Sequence, residues 1–274
     1  MGRGPGKTNR DHLSARVTEM SKDISDMLGD WDYDPEANVR YIDGDDGVRK
    51  VQVRIDQGAF QGILQLNLDG RPDGKKPHGF DFALDYYRNS LSECRSGAAD
   101  EKGVFSLDQT ACEELFDEGV RVYGRYGFLM QQKDYERVVR DTEHNLSLFR
   151  IVNRNAETLD NRSNLEKWWP YILRINATAR AMLAVQGEEF ERALDIVEDV
   201  RDRIANLDEV DAEEFHAEIQ RSQKALDELE EEIRRFVPLS REEELKAQLE
   251  KAVELEQFER AAEIRDQLNG LADP

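Results

Sequence analysis

Arg71, Asp73 and His78 fall within one short stretch, DGRPDGKKPHG (69–79). A guanidinium, a carboxylate and an imidazole are groups that charge stabilisation and proton transfer draw on. An enzyme in this chain would build its site on this loop, and a deep cleft would have to gather it with Asp141 or His144 of RDTEHNL (140–146). Asp141, His144 and Asn145 lie about one helical turn apart, which equally suits hydrogen bonds between packed helices, and that is the reading adopted.

The remaining chemical signals fail on spacing. GRGPGKT (2–8) has Met1 where a P-loop needs its first glycine. Gly6 stands where myristoylation needs Ser or Thr. DGDDG (43–47) opens like a calcium loop, but its twelfth position is Arg54 and not Glu, so a hairpin turn is expected. His12, His78, His144 and His216 lie in four different elements, and Cys94 and Cys112 are isolated, so neither a metal site nor a disulfide framework is written here. Glu136 and Glu191 are too far apart in sequence to be read as a carboxylate pair. No catalytic, cofactor-binding or metal-binding residue is assigned.

The net charge is -21, and the stretch 187–274 carries 28 acidic against 12 basic residues. Such a surface repels phosphate, so direct nucleic-acid binding is not expected beyond the basic tail 1–10, with Arg3, Lys7 and Arg10. No long apolar run is present, so neither a signal peptide nor a membrane span is expected. A reducing cytoplasm is the expected compartment, where the sequons at Asn145, Asn161 and Asn176 carry no meaning.

Hydrophobic periodicity gives the elements that would hold any site. The tail 1–10 reads as disordered, and Leu13, Val17, Met20, Ile24 and Met27 step as a helix within 11–28. Alternation over 38–55 and 62–70 predicts antiparallel strands with one buried face. A helix from about 80 to 94 is expected to cover that sheet, and 95–103 reads as a linker. Helices follow at 107–131, 135–155, 164–186, 189–206 and 211–237. In the last, Phe215, Ile219, Ser222, Leu226, Leu229, Ile233 and Phe236 form a heptad seam with one polar position. Pro238 ends it, and 240–271 reads as a short hairpin opened by a capping box, Ser240 to Glu243.

The expected fold is mainly α. A small antiparallel sheet with helices occupies 11–94, helical hairpins loosely like tetratricopeptide units occupy 104–207, the long helix 208–238, and the last hairpin 239–274.

One string recurs: KDYERVVRD (133–141), EEFERALDIVED (188–199) and EQFERAAEIRD (256–266). Each time a helix ends, polar residues turn the chain, and an aromatic opens the next helix. The aromatic is expected to fold back on the preceding helix, with small residues three and four positions on allowing close approach. The last copy differs, because Arg265 and Asp266 find no opposite charge three or four residues away.

That last copy lies in LKAQLEKAVELEQFERAAEIRDQLNGL (245–271), which resembles the UVR motif. The motif is a helical hairpin of the helicase and nuclease subunits of bacterial nucleotide excision repair, of a protein-arginine kinase activator and of a related chaperone ATPase. Leu249, Ala252, Phe258, Glu259, Ala261, Ala262, Ile264, Arg265, Asp266, Leu268 and Leu271 carry the resemblance. Glu256 departs from the repair-subunit form and is nearer the kinase-activator form. The stretch 51–79 also resembles segments that precede a terminal UVR motif in bacterial proteins, with no activity attached. The ATPase, nuclease and Cys-x-x-Cys motifs of the better-known families are missing, so only the hairpin carries over.

The resemblance implies that one hairpin docks another through the Phe and the apolar face. Leu249, Phe258, Ala261, Ala262, Arg265, Asp266 and Leu268 are the partner-binding residues so implied, with Phe258 as the anchor. The expected function is a non-enzymatic adaptor that presents the hairpin to a partner protein, with links to DNA repair or protein quality control. The alternative is a homodimeric regulator of a kinase or chaperone ATPase, self-associating through the 211–237 seam. An enzyme at the 69–79 loop is the third reading.

Overall fold

The computed structural model describes residues 24–96, 105–238 and 241–272. The basic tail, most of the 11–28 helix and of the 95–103 linker, and Ser240 of the capping box lie outside the described residues. Within them, α1 (Ser25–Gly29) is the described end of the first expected helix.

The alternating residues form β1 (Val39–Asp43), β2 (Arg49–Gln57) and β3 (Phe60–Asn67), an antiparallel sheet in the order β1-β2-β3. The Gly-Asp-Asp-Gly segment is a hairpin turn, with Gly47 at φ 73 donating to the Gly44 carbonyl. The second hairpin turns through Gly58 and Ala59. Gly58 has φ 61, the left-handed geometry that a type II′ turn requires at its first central position. Val39, Val51, Val53, Ile55 and Leu66 share one face and pack against Val122, Tyr126, Leu129 and Val138.

Those partners belong to α3 (Gln109–Gln131) and α4 (Tyr135–Asn155). The expected cover was the helix near 80–94, which forms as α2 (Ala83–Arg95) but packs against α3 instead. The reason is the amount of apolar surface. Only Ala83 and Leu84 of α2 are buried, whereas α3 and α4 present long apolar stripes.

The helix expected over 164–186 is two helices, α5 (Leu159–Glu166) and α6 (Trp169–Gln186). Pro170 opens α6, a position where its missing N–H costs nothing. α7 (Phe190–Ala205) and α8 (Glu213–Phe236) complete the main body. The α8 seam faces inward: Leu226, Leu229 and Ile233 share a core with α6 and α7, and Ile219 packs on it. Ser222, the polar seam position, donates to the Pro170 carbonyl at 3.3 Å and accepts from Arg174. From Phe215 to Ile233 the seam is covered within the chain and Phe236 at its end is exposed, so most of the expected self-association surface is used internally.

The three recurring strings share one backbone turn. Lys133, Glu188 and Glu256 have φ values of 56, 59 and 55, two residues before each aromatic. In each turn that residue donates to the carbonyl three back, and the next residue donates to the carbonyl five back. This is the Schellman closure of a helix, here with its last residue serving as N-cap of the next helix. The left-handed position normally favours glycine. Lys133→Gly is therefore expected to raise stability by about 0.5–1 kcal/mol, read as the shift in a urea unfolding midpoint.

The final turn joins α9 (Arg241–Glu254) to α10 (Phe258–Ala272). Leu245, Ala252, Ala261 and Ile264 form a core of their own, with Leu249 and Leu268 packed on it. Among the described residues no helix is long and apolar enough to cross a membrane.

Candidate partner-binding site

The residues of the 69–79 loop are drawn into the packing. Arg71 is buried and donates to Asp73 Oδ1, Asp117 Oδ2 and Glu118 Oε2 at 3.0–3.1 Å. Glu118 also accepts from the Ala83 and Leu84 N–H groups and lies 3.2 Å from His144 Nε2. Arg71 and His144 therefore meet through one carboxylate. Asp141 belongs to a separate pair with Arg125, and Asn145 donates to the Gly119 carbonyl. His78 lies apart, stacked on Tyr86 with ring centroids 4.0 Å apart and 2.9 Å from Glu114. A groove lined by Asn176, Arg180, Arg192 and Asp195 involves none of these residues. Among the described residues no cluster of three or more His, Cys, Asp and Glu is arranged to hold a metal ion.

Glu118 ties the loop, the start of α2 and α4 to α3, and its charge is part of the tie. Burial opposes ionisation, but the bonds from His144, Ala83 and Leu84 outweigh it and hold the carboxyl below its ordinary 4.5. A depressed carboxyl contributes stability above its unfolded pKa and loses it as pH falls through the folded value. Unfolding midpoints are therefore expected to drop on acidification below about pH 4.5. Glu118→Gln should flatten that acid limb, and an unchanged pH profile would refute the assignment.

The C-terminal hairpin is arranged differently, because it keeps apolar side chains outside its core. Ala261 and Ile264 are buried between α9 and α10, and Leu268 packs beside them. The face of α10 beside this seam carries Phe258, Ala262 and Arg265, spaced four and three residues apart, with Asp266 adjoining, all exposed. Phe258 is 69% exposed, whereas Tyr135, at the same place in the first copy, is 7% exposed. The expected fold-back of the aromatic thus holds for Tyr135 and fails for Phe258. Tyr135 has the sheet and α3 to pack against, while the small α9–α10 core offers Phe258 no second layer.

Val253 and Leu255 are also exposed, at 52% and 58%, and with Phe258 they flank the turn. Sequence reasoning missed this pair. The available signal was that neither belongs to the Leu245, Leu249, Ala252 seam of α9. Arg265 and Asp266 make no ion pair or hydrogen bond among the described residues.

The inferred partner residues therefore divide. Leu249, Ala261 and Leu268 hold the hairpin together, while Phe258, Ala262, Arg265 and Asp266 face outward. Residues 243–273 match the UVR family, described as the UvrB/uvrC motif. No curated protein and no solved structure matches the chain. The UVR match covers the α9–α10 unit except Arg241 and Glu242, including both the internal seam and the outward face, and leaves the sheet and main helical body unmatched.

Proposed function

We propose that this protein is a non-enzymatic adaptor whose UVR hairpin docks another protein through its outer face. The observation that carries this reading is the exposed tip, Val253, Leu255 and Phe258, of a hairpin whose Arg265 and Asp266 make no ion pair among the described residues. Large exposed apolar side chains on a unit that also carries unpaired charges are a composition that suits a docking surface. A partner that itself bears a UVR hairpin fits best, because its own Phe and apolar face would complement this one. Such a partner would tie the chain to DNA repair or to protein quality control. The engagement of Arg71, Glu118, Asp141 and His144 in internal bonds supports a role without catalysis. Direct contact with nucleic acid, if any, would fall to the basic tail.

The test is affinity capture from an extract of the native source, comparing the full chain with Phe258→Ala. Loss of one specific protein from the Phe258→Ala sample is expected. Equal capture by both would sink the docking assignment.

A further inference from the structure

The two free edges of the sheet are not alike. Leu68 N–H donates to the Arg49 carbonyl. With the Lys50↔Asn67 to Gln57↔Phe60 register, this fixes which β3 residues bond inward. Gly62, Leu64 and Leu66 turn their backbone groups to β2. Gln61, Ile63, Gln65 and Asn67 turn theirs outward. Asn67 is already satisfied, because its N–H donates to the Pro72 carbonyl and its carbonyl accepts from Arg125. Gln61, Ile63 and Gln65 remain, with three N–H and three C=O groups that bond to nothing among the described residues.

Natural proteins blunt an open edge by shortness, charge or cover. β1 follows that rule: it has five residues, carries Arg40 and Asp43, and Trp31 lies 4.1 Å from the Arg40 guanidinium. β3 does not. It runs eight residues, FQGILQLN, without one charge, in a chain that is 35% charged. Phe60 and Leu64 on this strand are 59% and 38% exposed.

We propose that β3 pairs antiparallel with β3 of a second copy, across a two-fold axis at Ile63. The open groups are self-complementary in that register. Ile63 faces Ile63 of the second copy, and Gln61 faces its Gln65. All six open groups on each strand then bond. On the inner face Phe60, whose ring lies over Gly62 of its own strand, meets Leu64 and Leu66 of the second copy. Charge favours this place over the rest of the molecule. Arg40, Arg49, Lys50 and Arg54 balance Asp43, Asp45, Asp46 and Asp56, so the sheet is neutral in a chain of net charge -21. A single strand pair buries less than the roughly 1,200–2,000 Å² of a stable interface, so the dimer is reversible and concentration-dependent.

Sedimentation of the full chain over a wide concentration range tests this, with circular dichroism to verify folding. The wild type should pass from monomer to dimer. Gln61 and Gln65 are both exposed, and among the described residues their side chains bond only Asp56 and Gln52. Unfolding midpoints of the variants are compared with the wild type to separate lost pairing from lost folding. Gln61→Lys with Gln65→Lys puts like charges opposite each other twice and should weaken the dimer at least about tenfold. Gln61→Lys with Gln65→Glu puts opposite charges in the same places and should restore it. A wild type that stays monomeric throughout, a dilysine variant that dimerises as well as the wild type, or a charge-paired variant that stays monomeric would each overturn the proposal.

Discussion

Asp141→Ala is expected to cost about 3–5 kcal/mol of stability, the range for breaking a buried ion pair from one side. Asp141 and Arg125 are 2% and 0% exposed. Arg125 Nε and Nη2 meet the two carboxylate oxygens at 2.6 and 2.8 Å, the paired geometry that makes such contacts strong. Arg125 Nη1 donates to the carbonyls of Asn67 and Gly70, so the same guanidinium anchors the end of β3 and the start of the 69–79 loop. Arg140 adds a bond to Asp141 at 2.9 Å. Without Asp141 the guanidinium stays buried with no counter-charge, and its hold on the loop loosens. Urea unfolding of the variant against the wild type measures the loss. A change below about 1 kcal/mol would mean that water or Asp69 replaces the lost carboxylate.

Phe258→Ala should separate binding from folding. An exposed side chain removed from a surface changes stability by roughly 0.5 kcal/mol or less. A buried aromatic anchor at an interface is worth about 2 kcal/mol or more, roughly a thirtyfold loss of affinity. The expected result is an unchanged unfolding midpoint with partner binding weakened by that factor, measured by titration calorimetry on the captured protein. Ala261→Asp is the useful contrast. Ala261 is 8% exposed inside the hairpin. A carboxylate there should lower hairpin helicity and partner binding together. Unchanged affinity on Phe258→Ala would remove the anchor role, whatever Ala261→Asp does.

Much of this was legible from residue spacing, where one face of an element is buried and the other wet. Val51, Val53 and Ile55 alternate and sit in the sheet face that is buried. The α8 heptad is likewise real, but spacing says only that a seam is buried and not against what. Its partners are α6 and α7 of the same chain, contacts distant in sequence that no local pattern encodes. The split between α5 and α6 falls just before Pro170, a residue suited to the first turn of a helix. The choice of α3 and α4 over α2 as the sheet's cover depended on comparing whole helix faces.

At the candidate site, the UVR pattern marked the α9–α10 hairpin as one unit and did not separate its inner from its outer residues. Ala261 and Ala262 are neighbours in sequence and equal in chemistry, yet one is buried and the other exposed. Only the crossing of α9 and α10 separates them. The same crossing leaves Phe258 outside, although Tyr135 in the matching string is inside. A local string specifies the turn, and the layer beneath it decides the fate of the aromatic.

The four-residue core of the hairpin, apart from the main body, has a kinetic consequence. A unit with its own core opens on its own, at a free energy set by that small core and not by global unfolding. Backbone amides of α9 and α10 should therefore exchange with deuterated solvent well before those of α3 and α4. Anything that binds only the closed hairpin slows that opening by mass action. Protection confined to residues 241–272 would thus register a bound partner and its affinity in one experiment, before the partner's identity is known.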